Sequence, residues 1–242
     1  MLLGFANMLV TLWDAERPRA VFVGWDTLDS PTYRHNLFHA YQSGREFPPE
    51  LMEQLDRLPE LCSAFGFAWA KQAGYEADDF LAAAVRVETG RAARALVVTS
   101  DRDLFQLASE TVTILMPKRG VWELERVGPA EVRARYGVEP SQVPDFIALR
   151  GDPSDRLPGA SGVGPVKAAA ILAEHGSLEG ALAAGRFSAE AAELRTYLKM
   201  ARLQADAPLP PVPDSRPDWG GAAALADRWG LRALAERLRA RA

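Results

Sequence analysis

Apolar residues recur at helical spacing from Leu2 to Trp13, and the chain then tightens into a mostly apolar run from Arg19 to Trp25. The first pattern predicts an amphipathic helix; the second predicts a buried strand that delivers Asp26 at its carboxyl end. Tyr33 to Pro49 is polar and aromatic with scattered basic residues, which predicts a long exposed segment. Helical periodicity resumes over Glu50 to Phe65, with Leu51, Leu55, Leu58 and Leu61 facing inward. Phe67 to Ala70 reads as a short strand, Ala77 to Thr89 as an alanine-rich helix, and Ala93 to Thr99 as a buried strand delivering Asp101 and Asp103. Short strands are expected at Val112 to Met116 and Val121 to Leu124, then helices opening near Pro129, Ser141, Val166 and Ala189. Strands alternate with helices early and helices dominate later, so the expected class is α/β, a parallel sheet flanked by helices with a helical part behind it. The proline-rich stretch Ala207 to Asp218 reads as a linker before a terminal helical segment, Ala222 to Ala240.

Composition narrows the function classes. At 242 residues with 48% apolar and 25% charged positions, the chain can bury a sizeable core in one or two domains. No apolar run approaches the roughly 20 residues that span a bilayer, and Met1 to Val10 lacks the basic start of a secretory signal, so a cytoplasmic protein with no membrane partner is expected. Cys62 is the only cysteine, which excludes intramolecular disulfides and cysteine-based zinc sites, and His35, His39 and His175 are too few for a histidine cluster. The net charge of −4 lacks the basic footprint of most nucleic-acid binders. Its distribution matters more, because Arg34, Arg45, Arg150, Arg156 and Lys167 lie in sequence beside the acidic groups and bound divalent ions would add positive charge there.

Those acidic groups are Asp26; Glu76, Asp78 and Asp79; Asp101 and Asp103; and Asp152 and Asp155. Taken singly, each has an ordinary reading as a helix cap or an Asx-turn. Their conjunction favours one shared ion site, because a parallel sheet gathers strand ends at one edge. Two carboxylates about 4 Å apart repel by roughly 4 kcal/mol at an effective dielectric near 20, so convergence calls for a cation. Magnesium or manganese suits oxygen ligands. Beyond the last pair, Leu157 to Lys167 runs through Gly159, Gly162, Val163 and Gly164 into an apolar helix. A glycine turn between helices lets backbone N–H groups approach a phosphodiester; the competing reading is a plain helix-to-helix turn.

With these motifs in this order, the chain resembles the 5′-3′ exonuclease and flap endonuclease family, which includes the amino-terminal part of bacterial DNA polymerase I. The resemblance rests on Gly-Tyr-Glu-Ala-Asp-Asp at 74–79, Thr-Ser-Asp-Arg-Asp-Leu at 99–104 and Gly-Asp-Pro-Ser-Asp-Arg-Leu-Pro-Gly at 151–159. It implies a PIN-like α/β core at 1–145 with a helical arch near 33–49, a helix-hairpin-helix subdomain at 146–205, and a linker with terminal helices at 206–242. It further implies two Mg2+ or Mn2+ ions, one served by Asp26, Glu76, Asp78 and Asp79 and the other by Asp101, Asp103, Asp152 and Asp155. A K+ ion at the hairpin also fits the resemblance. Arg34 and Arg45 would clamp the phosphate, Tyr33 and Gln42 would meet DNA in the arch, and Gly159, Gly162, Val163, Gly164 and Lys167 would grip duplex. The implied activity is hydrolysis of DNA, and of RNA primers paired with DNA, from a free 5′ end or flap during replication and repair. The implied protein is a monomer that works alone or beside a separate DNA polymerase.

Three positions depart from the family pattern. The family opens with a strand ending in Asp-Gly ahead of the first helix; here Met1 already lies in that helix, so a truncated or wrongly started chain is expected, with two buried strand edges laid open. Gln42 stands where a lysine is usual. Val166 also replaces a lysine, with Lys167 one place later. Two other readings follow: a DNA-structure-binding protein with an impaired metal site, and a phosphotransferase of the haloacid dehalogenase type suggested by Asp101-Arg102-Asp103. The latter chemistry has no use for the glycine hairpin.

Overall fold

The computed structural model describes residues 2–28, 30–41, 47–118 and 123–242. Helix α1 (Leu2–Glu16) buries Ala6, Leu9, Val10 and Trp13 along one stripe. It leads into β1 (Phe22–Gly24), the middle of the expected strand. After the short α2 (Tyr33–Leu37) comes α3 (Pro49–Ala64), opened by a proline whose missing N–H costs nothing in a first turn. Strand β2 (Ala68–Ala70) pairs parallel with β1, Phe22 opposite Ala68. Helix α4 (Ala77–Gly90) connects it to β3 (Ala95–Val98), which pairs parallel with β4 (Val112–Pro117). Strand β5 (Leu124–Val127) closes that piece antiparallel, Ile114 opposite Val127. Among the described residues, β1 and β2 form one sheet and β3, β4 and β5 another.

The later helices are α5 (Pro129–Tyr136), α6 (Val143–Arg150), α7 (Pro165–His175), α8 (Leu178–Ala183) and α9 (Ala191–Ala201), then α10 (Trp219–Arg228) and α11 (Arg232–Arg239). The largest core joins β3 and β4 to α5–α9 around Phe105, Phe146, Ile147 and Leu172. A second joins α1 and α3 to α10 and α11, with the Phe65 and Phe67 rings stacked 5.3 Å apart. Fully burying such side chains stabilises by roughly 1.5–3 kcal/mol each. No helix of the described residues is long and apolar enough to cross a membrane.

Four expectations are corrected. The segment from Tyr33 is not exposed throughout: Arg34 and Tyr41 are buried because both bond to Glu76. Residues 42–46, with Gln42 and Arg45, lie outside the described residues. The strand expected at Val121 to Leu124 starts at Leu124, because Val127 supplies the residue that packs against Ile114; Val121 and Trp122 also lie outside the described residues. Helix α8 was not anticipated; it is short and carries its own cap, Ser177 Oγ accepting from the Gly180 amide at 3.0 Å. The terminal segment is two helices, broken where Gly230 takes φ +73°, and Leu234 and Leu238 bury it against α1 and α3.

Candidate metal centre

Gly24 ends β1 against the start of α4, where a side chain would meet the Ala77 carbonyl at 2.6 Å. The strand can therefore run close under the helix, and Asp26 Oδ1 accepts the Ala77 amide at 2.7 Å. Glu76 caps α4, and Asp78 and Asp79 occupy its first turn, where the free N–H groups favour negative charge. At the end of β3, Asp101 caps a 3₁₀ turn (Arg102–Leu107) and accepts the Asp103 amide at 2.9 Å. Asp152 and Asp155 sit in a loop closed by paired backbone bonds, Asp152 N to Leu157 O and Leu157 N to Asp152 O, both 2.8 Å. Gly151 (φ +78°) and Gly159 (φ +75°) pinch its base, where a side chain on Gly159 would fall 2.3 Å from the Gly151 nitrogen. Only glycine fits both the backbone angle and the space.

Four remote stretches of chain thus share one electric field. Burial raises the Asp78 carboxyl well above the usual range, and Asp101, Asp26 and Asp103 push it further. Burial likewise raises Asp103, with Asp101, Asp155 and Asp152 adding to the effect. Arg34 opposes both shifts without cancelling them. This is the signature of carboxylates gathered without enough positive charge. As positioned, no three metal-ligating side chains converge on one point among the described residues. Asp26, Asp101 and Asp152 are instead turned onto the amides of Ala77, Asp103 and Ser154. The donor set, all carboxylate oxygen, fits magnesium or manganese.

Glu76 and Asp79 are placed differently. Arg34 Nη1 lies 2.9 Å from Glu76 Oε2, and its Nη2 lies 3.3 Å from Asp79 Oδ1. Asp79 is fully buried and also accepts from Tyr33 Oη (3.3 Å), the Gln204 amide (2.8 Å) and the Glu76 amide (3.0 Å). Burial works against the Arg34 charge, but Glu76, Tyr33 and Asp79 outweigh it and hold its pKa above the ordinary value. Glu76 further accepts from Thr32 Oγ1 (2.8 Å) and Tyr41 Oη (3.0 Å). The Tyr33 hydroxyl, bound to Asp79 and to the Arg202 carbonyl, anchors its ring here.

Sequence reasoning missed Thr32, Gln106 and the segment 200–204. Arg34 Nε donates to the Met200 carbonyl at 2.9 Å, and Gln106 bridges the carbonyls of Asp103 (2.8 Å) and Ala201 (2.9 Å). A capping-box spacing from Thr32 to His35 was the one available signal. At the hairpin, Gly162 takes φ +69°, Gly164 caps α7, and Lys167 Nζ donates inward to the Gly162 carbonyl at 2.8 Å. Val166 is 85% exposed beside it. Val163 packs partly buried against the main core.

The chain thus joins an α/β layer, with acids at its strand ends, to a glycine hairpin between helices. A family profile for the 5′-3′ exonuclease N-terminal resolvase-like domain matches residues 1–137, and one for the 5′-3′ exonuclease C-terminal SAM fold matches residues 138–214. The chain therefore belongs to the 5′-3′ exonuclease family. It is 42% identical over 178 residues to DNA polymerase I of Mycobacterium leprae (73% of this chain, 19% of that protein). It is 36% identical over 247 residues to the thermostable DNA polymerase I of Thermus thermophilus (97% of this chain, 28% of that protein). The chain thus spans less than a third of the length of these relatives. Among solved structures, the fold matches the T5 5′-exonuclease with divalent zinc bound (TM-score 0.71, 18% identity, 98% of this chain and 89% of that one). It also matches the catalytic core of Rad2 in complex with DNA substrate (TM-score 0.64, 17% identity, 98% and 83%).

Proposed function

We propose that this chain hydrolyses phosphodiesters in DNA from a free 5′ end or 5′ flap, and in RNA primers paired with DNA, as a divalent-metal-dependent nuclease. The supporting observation is the shared field at Asp78 and Asp103, created by acids from the ends of β1 and β3, the start of α4 and the 151–159 loop. Asp26, Asp78, Asp101, Asp103, Asp152 and Asp155 would hold the ions. When bound, two such ions supply water activation and neutralise charge on the attacking and leaving oxygens. Glu76 and Asp79 act one layer out, holding Arg34, which serves as their counter-charge and orients the opening of α4 rather than clamping phosphate. Any phosphate clamp in the arch falls to Arg45, and Gln42 would also meet DNA there. The backbone of 159–164 takes the duplex phosphates, and Lys167 stiffens that turn through its bond to Gly162. The test is cleavage of a 5′-flap duplex with magnesium: Asp101→Ala should lower kcat at least about 100-fold with flap binding retained, a loss of roughly 2.7 kcal/mol in barrier lowering. Unchanged cleavage would overturn the assignment.

The divided sheet favours a second reading, a chain that grips branched DNA with little catalysis. Gel shifts of flap DNA without product, under the same magnesium conditions, would select it.

A further inference from the structure

The end of α9 is stitched to the acid-bearing side of the molecule through its backbone. From Met200 to Gln204, five consecutive residues each turn a peptide group onto a side chain from elsewhere. The Met200 carbonyl accepts from Arg34, the Arg202 carbonyl accepts from Tyr33, and the Gln204 amide donates to Asp79. The other two meet one side chain, Gln106: its Nε2 donates to the Ala201 carbonyl at 2.9 Å, and its Oε1 accepts the Leu203 amide at 3.2 Å. Nε2 also donates to the Asp103 carbonyl at 2.8 Å. A glutamine amide has two N–H donors and one acceptor oxygen, and here both ends are engaged. Flipping it would set its oxygen against two carbonyls, so its orientation is fixed by its partners.

Gln106 holds the backbone that carries Asp103. The Asp103 amide is bound to Asp101 Oδ1 at 2.9 Å and its carbonyl to Gln106. An ion that recruits Asp101 Oδ1 competes with the first bond and leaves the second in place. Leu104 and Phe105, between Asp103 and Gln106, are fully buried, so this turn cannot shift without opening the core. On the other side, Met200 and Ala201 share the main core with Phe146 and Ile147 of α6, the helix that ends on Gly151 and leads into the Asp152–Asp155 loop. Gln106 therefore spans two acid-bearing pieces: the turn of Asp103, and the α6–α9 body that presents Asp152 and Asp155. Outer partners of this kind fix the orientation of metal-ligating groups.

We infer that Gln106 is a positioning residue of the metal centre. Acting through Asp103 rather than on ion or substrate, it keeps that carboxylate in register with Asp152 and Asp155 for a shared divalent ion. This role rests on the proposed metal-dependent function.

The test is titration of the DNA-free chain with Mn2+, read from the EPR signal of the free ion well below each chain's metal-free thermal midpoint. Gln106→Met should weaken binding roughly tenfold or more, the usual effect of losing an outer partner. Gln106→Glu keeps an oxygen for the Leu203 amide but loses both donor bonds and adds negative charge beside the acids. Charge alone predicts tighter binding; lost positioning predicts weaker binding, which is the expected result. Leu203→Pro deletes the N–H that Gln106 accepts, and Arg202 before it is already extended (φ −77°, ψ 131°), as a residue ahead of proline prefers. It should weaken Mn2+ binding less than Gln106→Met does and add nothing in the double variant, because both act through one contact. Parent-like or tighter binding by Gln106→Met or Gln106→Glu, or fully additive losses in the double variant, would overturn the inference. Asp101→Ala separates the two levels: if it binds Mn2+ as the parent does, the metal centre falls and this role with it. If it loses an ion and Gln106→Met does not, the positioning role alone falls.

Discussion

At Arg34, charge and burial are in tension. Arg34 is 4% exposed, yet its guanidinium carries two carboxylate partners and the Met200 carbonyl, so its donors are consumed inside the protein. Replacing such a pair wholesale can be neutral, but removing one partner strands the others. Arg34→Met should therefore destabilise by about 3–5 kcal/mol, read from urea unfolding, because Glu76 and Asp79 lose their counter-charge. A midpoint shift below about 1 kcal/mol would mean water replaces the guanidinium. The positions of the acids were legible in the sequence because each follows a readable strand or opens a readable turn. The inward turn of Arg34 was not, because a basic residue in a polar stretch looks the same whether solvated or paired. Gln204 and Met200 contribute through backbone atoms, which any residue type would supply, so no pattern could reveal them.

Elements show the same division. Strongly periodic helices and apolar strands were readable; the breaks between them depended on partners far away in the chain. The terminal helices illustrate it: Pro-rich residues before Trp219 suggest a tether, yet Ala222, Leu225, Leu234 and Leu238 are almost wholly enclosed by α1 and α3. Asp14 and Arg241 reinforce the junction through two bonds at 2.7 and 2.6 Å, and Arg241 holds the Asp14 carboxyl below its usual range. Leu238→Ala should cost about 2–5 kcal/mol by leaving a hole between α11 and its neighbours. Thermal unfolding checks this; a loss of only a few tenths would show α11 detached in solution.

For the molecule as a whole, the massed acids set a balance between stability and chemistry. Asp78 and Asp103 both have raised folded pKa values, so the folded chain holds their protons more tightly than the unfolded chain does. The resulting stabilisation is complete below the unfolded value of about 3.9 and is lost as pH rises through the folded values. In chelator, stability should fall as pH increases above about 4. Magnesium at about 100 times its Kd should restore about 2.7 kcal/mol near neutrality, and Asp101→Ala should abolish that gain. Chemical denaturation across pH with and without magnesium measures both; a pH profile that magnesium leaves unchanged would count against ion binding at these acids.

The loop pinched by Gly151 and Gly159 carries Asp152 and Asp155 at one end and opens into the hairpin at the other. On the proposed function, cutting point and handhold would be set by this single span, which would act as a ruler laid along the nucleic acid. A glycine inserted after Ala160 should lengthen that ruler and move the scission by about one nucleotide, each nucleotide being 3.4 Å along a strand. Product lengths on a denaturing gel would report it, and unaltered lengths would mean that the substrate is measured from elsewhere.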